Sequence, residues 1–161
     1  MTKTAIPNKE VRHLVLIDVE NLAASPSPSQ REVLAVKAAL EAQLPDHDSA
    51  FWVVACSHHA APAVMFEFPR ARRLLRSGPD GADLALLDVL DGESIESRFG
   101  LVTICSGDGI FADGAARLAH HRVNVTAVAG RGGLSAKLRL AARNVHRLHI
   151  DDGLAATGSV G

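Results

Sequence analysis

Three carboxylates stand where strand-like runs give way to turns or to a helix. Asp18 closes the apolar run "HLVLID", Asp108 sits in the Ser-Gly-Asp-Gly turn after "LVTIC", and Asp83 opens a helical pattern that runs from Ala82 to Leu90. A glycine-flanked turn between strand and helix could cradle a phosphate on its backbone N–H groups. A carboxylate at its centre would repel that phosphate. Asp108 is therefore either a turn former or a residue that holds a cation. Asp18 and Asp83 pose the same choice, between an ordinary strand-end or helix-start acid and a ligand. Three acids at one edge of a sheet repel one another, and a hard divalent cation, Mg²⁺ or Mn²⁺, would offset that repulsion through oxygen ligands.

Other acids fit this role less well. Glu20 points away from Asp18 or into the following loop. Asp88, five residues beyond Asp83, is turned well around the helix, and Asp91 and Glu93 read as solvated helix ends. His58 and His59, which follow the second strand at the same edge, could touch RNA or aid proton transfer, or be plain surface residues. The turn "GRGGLS" could bind a phosphate at the start of the next helix, with Ser135 as a contact, or serve only as a turn.

These residues need elements to position them. "HLVLID" (His13 to Asp18), "AFWVVAC" (Ala50 to Cys56), "LVTIC" (Leu101 to Cys105) and "VNVTAVA" (Val123 to Ala129) are short apolar runs bounded by polar residues, the pattern of strands buried on both faces. "ARRLLR" reads as a short edge strand and "VHRLHI" as a last short one. Between them lie helical patterns: Ser29 to Leu44 with Ser29 as N-cap, Ala60 to Phe66, Ala82 to Leu90, about Phe111 to His121, and about Leu134 to Arg143. Strands alternating with helices predict an α/β fold, a mostly parallel sheet covered on both faces. In such folds ligands bind at the carboxyl ends of the strands. That is where Asp18 and Asp108 fall.

At 161 residues the chain is the length of one domain that buries roughly two-thirds of its unfolded surface. A single domain over residues 11–150 is expected, with flexible tails at 1–10 and 151–161. Hydrophobic content of 47% with 22% charged residues is a globular composition and excludes wholesale disorder. Cys56 and Cys105 lie inside apolar runs without metal-type spacing and read as free buried thiols, which suits a reducing, cytoplasmic setting. No apolar run approaches the ~20 residues of a membrane span, and the start of the chain lacks the apolar core of a signal peptide.

Net charge is −1, but the charge is segregated. From Gly114 to Ile150 there is no Asp or Glu, while Arg117, Arg122, Arg131, Lys137, Arg139, Arg143 and Arg147 all fall there. A chain that separates acid from base in this way could hold a cation with one part and an anionic polymer with the other, or simply carry solvated basic helix faces.

"LIDVENL" (Leu16 to Leu22), "GADLALLDVL" (Gly81 to Leu90) and "TICSGDGIFADGAARLAHHRVNVTAVA" (Thr103 to Ala129) together resemble the signature blocks of the NYN domain family, PIN-like metal-dependent ribonucleases. The resemblance spans about Val11 to Ile150. It implies a three-layer α/β/α sandwich, PIN-like or Rossmann-like, and Mg²⁺ or Mn²⁺ held by Asp18, Asp83 and Asp108. Asn21 and Ser106 match polar positions that would orient ligands, water or substrate. Members of that family often carry a further acid two residues after the Ser-Gly-Asp aspartate, where this chain has Ile110. Asp113, one turn further on, is a candidate substitute.

The function this implies is hydrolysis of single-stranded RNA by metal-activated water. Arg139 and Arg143, four apart on one predicted helix face, are expected to contact the RNA backbone together with Lys137 and Ser135, and Arg72, Arg73 and Arg76 come next. One Trp, no Tyr and five Phe leave little for base stacking, so sequence preference should be modest. The alternative is a catalytically weak or inactive module of the same fold that binds RNA or a protein, a second copy of the chain among them. A Mg²⁺-dependent phosphatase or nucleotide-binding domain is a third class, but it lacks a D-x-D motif after the first strand and a specific phosphate loop. Serine hydrolases and P-loop NTPases are excluded by the absence of their motifs.

Overall fold

The computed structural model describes residues 9–151. The expected tails fall almost wholly outside that range, except that Lys9–Val11 forms a 3₁₀ turn leading into the first strand. Six strands, β1 (His13–Asp18), β2 (Phe51–Cys56), β3 (Arg72–Leu75), β4 (Leu101–Cys105), β5 (Asn124–Ala129) and β6 (Asn144–Arg147), form one sheet in the order β3-β2-β1-β4-β5-β6. Every pairing is parallel. The chain winds outward from β1 to β3, then returns to pair β4 against the other side of β1. The gap between the carboxyl ends of β1 and β4 is the topological switch point, the crevice where open α/β sheets take their ligands.

Parallel strands buried on both faces alternate side chains between two cores. Leu14 and Leu16 of β1 join Leu86, Leu90, Phe99 and Phe111 on one face, and Val15 and Ile17 join Leu22, Leu40, Val64 and Phe68 on the other. Helices α2 (Gln30–Gln43) and α3 (Ala61–Glu67) cover the second face, while α4 (Gly81–Gly92) and α6 (Ala112–His120) cover the first. The result is the three-layer α/β/α sandwich. Ser29 and Glu32 exchange bonds at the start of α2, a complete capping box. Cys56 and Cys105 are free and buried. No helix of the described residues is long and apolar enough to cross a membrane.

Three local expectations are revised. A short helix, α1 (Val19–Ala23), follows β1 directly where only a loop was expected, and α5 (Ile95–Arg98) precedes β4. Helix α7 is only Ala136–Ala141: Ala142 is its C-cap in extended conformation, because the Arg143 N–H is taken by the Val125 carbonyl as the chain enters β6. Arg143 is therefore not on the helix and shares no helix face with Arg139.

Candidate functional site

Asp18 is the last residue of β1 and the N-cap of α1, where its Oδ1 accepts the Asn21 N–H at 3.1 Å. Asp108 plays the matching role after β4: it caps a 3₁₀ turn (Gly109–Phe111), and its Oδ1 accepts the Ile110 N–H at 3.0 Å. The two acids thus flank the switch point, each held by a backbone bond that fixes where its free oxygen points. Asp83 lies in the first turn of α4. Gly81 sets the approach of that helix, because a Cβ there would overlap the Arg76 carbonyl.

The side chain of Asp83 lies within hydrogen-bonding reach of both Asp18 and Asp108. It is 8% exposed, and its Oδ1 is buried with no hydrogen-bond partner. Burial, followed by Asp18 and then Asp108, pushes the Asp83 carboxyl up to about 9. Burial also raises Asp18, with Glu20 and Asp108 adding to the effect against the lowering by its hydrogen-bonded partners. Asp18 and Asp83, buried and crowded with a third acid, hold their protons more tightly than free carboxyls do. Among the described residues, no group of three or more His, Cys, Asp or Glu side chains is arranged to hold a metal ion. The trio converges without forming a ready three-ligand shell.

Two polar residues brace the site. The Asn21 side-chain oxygen accepts the Gly107 N–H at 2.9 Å, tying the turn after β1 to the turn after β4. Ser106, fully buried, accepts the Asp108 N–H at 3.2 Å. From below, the Gly107 carbonyl accepts the Ser135 N–H at 2.8 Å, and a Cβ on Gly107 would overlap the Gly133 carbonyl. The "GRGG" turn therefore packs against the Ser-Gly-Asp turn. The Ser135 N–H is spent on the acid turn, while its half-buried hydroxyl makes no cap bond to α7.

Glu20, expected to point away from Asp18 or into the loop, reaches the turn after β2. Its Oε1 accepts both the N–H (3.0 Å) and the hydroxyl of Ser57 in the turn after β2. From there it still acts on Asp18 and raises the Cys56 thiol, which burial pushes to about 11. It is a fourth carboxylate at the edge, and the signal for it was its place two residues after Asp18, on a helix the sequence did not reveal. Asp113 is exposed on α6 and is not among the groups acting on Asp18 or Asp83. Ile110 is half-buried against the core of the α4/α6 face.

The expected RNA-binding cations are divided. Arg72 opens β3 at the opposite end of the sheet and pairs with Glu93 at 2.6 Å, and Arg73 donates to the Met65 carbonyl. Arg76 stands at the carboxyl edge but pairs with Asp88 at 3.0 Å. Lys137 and Arg139 are exposed on α7, which starts beside Gly107. Arg143 sits at the amino end of β6, away from the acids.

A groove of about 750 Å³, lined by Trp52, Phe68, Arg72 and Glu93 among others, lies at the amino ends of β2 and β3. It is not at the acids.

No protein-family model matches the chain, and no curated protein matches its sequence. A crystal structure of a protein of unknown function from Vibrio parahaemolyticus is similar in shape, with a TM-score of 0.59 and 19% identity over 92% of this chain and 98% of that one. The likeness is one of fold.

Proposed function

We propose that this chain is a divalent-metal-dependent endoribonuclease acting on single-stranded RNA in the cytoplasm, a PIN-like enzyme of the NYN kind. One observation carries the reading. Asp83, whose Oδ1 is buried without a partner, lies beside two further acids at the switch point of a parallel sheet, an arrangement that costs stability unless something positive joins it.

The donors fit a hard cation, since all are carboxylate oxygens and Mg²⁺ is typically held by one or two carboxylates while water and substrate phosphate complete its shell. Asp18, Asp83 and Asp108 would hold Mg²⁺ or Mn²⁺, which when bound supplies charge against the scissile phosphate and lowers the pKa of a water. The chain's own contribution is placement. Asn21 locks the two strand-end turns together, Ser106 fixes the Asp108 backbone, and burial of Asp18 and Asp83 keeps bulk water from screening the site. Lys137 and Arg139 offer backbone contacts on the side where Gly107 meets Ser135.

The second reading, a catalytically weak or inactive module that binds RNA or protein, is favoured by Ile110 packing against the core where an acid would extend the site, and by the lack of a ready three-ligand group among the described residues. Incubation of labelled single-stranded RNA with Mn²⁺, Mg²⁺ or EDTA decides between them. Cleavage that needs the cation and fails in a folded Asp108→Asn variant supports the nuclease, and binding without cleavage supports the module.

A further inference from the structure

At the carboxyl edge the turn after β2 is built from contacts that the metal chemistry does not require. Glu20 holds Ser57 through both its N–H and its hydroxyl. The next residue, His58, bonds through Nδ1 to the Ser77 hydroxyl at 2.8 Å, and so joins this turn to the segment leading into α4 and Asp83. His59 lies over His58 with ring centroids 3.9 Å apart and planes tilted by 39°. Both rings are exposed. Of the other large rings, Phe68 and Phe111 are buried, Phe66 is exposed near the end of α3, Phe51, Trp52 and Phe99 lie at the amino ends of the strands, and His120 and His121 end α6. Register places Asp18 beside Ala55, three residues before His58, so the ring pair lies in the turn that follows the strand next to Asp18.

We propose that the His58–His59 stack is the base-binding platform of the site, taking an unpaired nucleobase next to the phosphate that the acids address. This rests on the nuclease reading above and names what positions its substrate. A flat ring fixed on one face and open on the other is what an unstacked base uses, and histidine serves this role in single-strand recognition alongside Phe, Tyr and Trp. A duplex cannot offer that base. The platform therefore accounts for a single-strand preference in a chain with few aromatics, and it contributes little sequence choice because every base has a π-face.

The test separates binding from chemistry. Anisotropy of a fluorescein-labelled short single-stranded RNA, measured in EDTA so that cleavage does not intervene, is compared for wild type, His59→Ala and His59→Phe, with a matched oligonucleotide carrying abasic sites and a matched duplex. Expected is a Kd raised on the order of tenfold in His59→Ala, restored in His59→Phe, with no difference among the three proteins on the abasic strand and weak binding of the duplex by all. In Mn²⁺ the same Ala variant should raise KM with kcat little changed.

An unchanged Kd in His59→Ala, or an equal loss on the abasic strand, overturns the platform. So does wild-type protein that binds neither strand. If the ring-dependent binding is present but no metal supports cleavage, the nuclease reading fails and the platform stands as an RNA-binding site. Metal-dependent cleavage with an unaltered KM in His59→Ala shows the reverse. Both side chains are exposed, and equal melting temperatures verify that the variants fold.

Discussion

The two ends of the sheet treat charge in opposite ways. At the amino ends of the strands acids are matched: Glu93 takes Arg72 and Arg98, Asp91 and Glu96 share Arg117, and the Arg12 guanidinium lies 5.2 and 5.0 Å from the Phe51 and Phe99 ring centres. At the carboxyl ends Asp18, Asp83 and Asp108 crowd together with no Lys or Arg among the groups that shift Asp18 or Asp83. Exposed, matched pairs such as Arg72–Glu93 contribute little to stability. Buried, unmatched carboxylates cost it. A natural chain keeps such an arrangement where something else has to bind, which makes the deficit of positive charge more informative than the groove at the matched end.

The sharpest break of this comparison is chemical. Asp108→Asn keeps the shape and the cap at Ile110 but removes one charge, and is expected to lower metal-dependent RNA cleavage by a factor on the order of a hundred or more with melting unchanged. The same substitution at the matched end, Glu93→Gln, should leave cleavage within about twofold, since an exposed pair is worth ~1 kcal/mol or less and lies far from the acids. Equal effects at the two ends would erase the distinction.

Next in size is the pH dependence of the metal-free protein. The Asp83 carboxyl is raised in the folded state to about 9, so the native chain holds a proton that the unfolded chain releases near its ordinary value of 3.8. Stability from this group is fully present below that ordinary value and is lost as pH climbs toward the folded one. Thermal melts in EDTA should therefore fall between pH 5 and pH 8, and Asp83→Asn, which cannot ionise, should flatten that slope and melt higher than wild type at pH 8, by about 5 °C. Millimolar Mn²⁺ should restore the wild type and not the variant. A flat wild-type profile would mean that the acids are solvated and unstrained.

Ile110→Asp probes the border between site and core. Ile110 packs against the apolar cluster under α4 and α6, so an acid there should lower the melting temperature by several degrees. If the substitution also tightens Mn²⁺ and speeds cleavage, the edge has room for a second ion; lower stability alone marks the trio as complete. The smallest effect concerns the basic residues. Lys137→Glu with Arg139→Glu should weaken RNA binding and flatten its salt dependence, whereas Arg143→Glu and Arg72→Glu, at the far end, should leave the slope unchanged in a salt titration.

What could be read from the chain itself follows the range of the forces involved. The run "HLVLID" declared β1 to the residue, and "LVTIC" declared β4, because a strand buried on both faces has to be apolar throughout. The acids could be placed at one edge because strand ends in a parallel sheet share that edge. Competition from contacts distant in sequence was illegible. Helix α7 stops at Ala141 because the Arg143 N–H finds Val125 on a neighbouring strand, a contact that no pattern within "AKLRLAARN" encodes. Glu20 escaped for the same reason: its partner, Ser57, is 37 residues away. Helix α1, only five residues long, is too short to show a period.

The contact between Gly107 and Gly133 sets a rule for which loops can change. Because the Ser-Gly-Asp turn rests on the backbone of "GRGG" with no room for a side chain at Gly107, the length of the β5–α7 connection fixes the height of Asp108. Insertions between Ala129 and Ala136 should displace the acid edge even though none of those residues carries an acid. The connection from Pro26 to Pro28, between the residues that close α1 and the cap of α2, has no such duty, and a loop library or a grafted recognition segment belongs there.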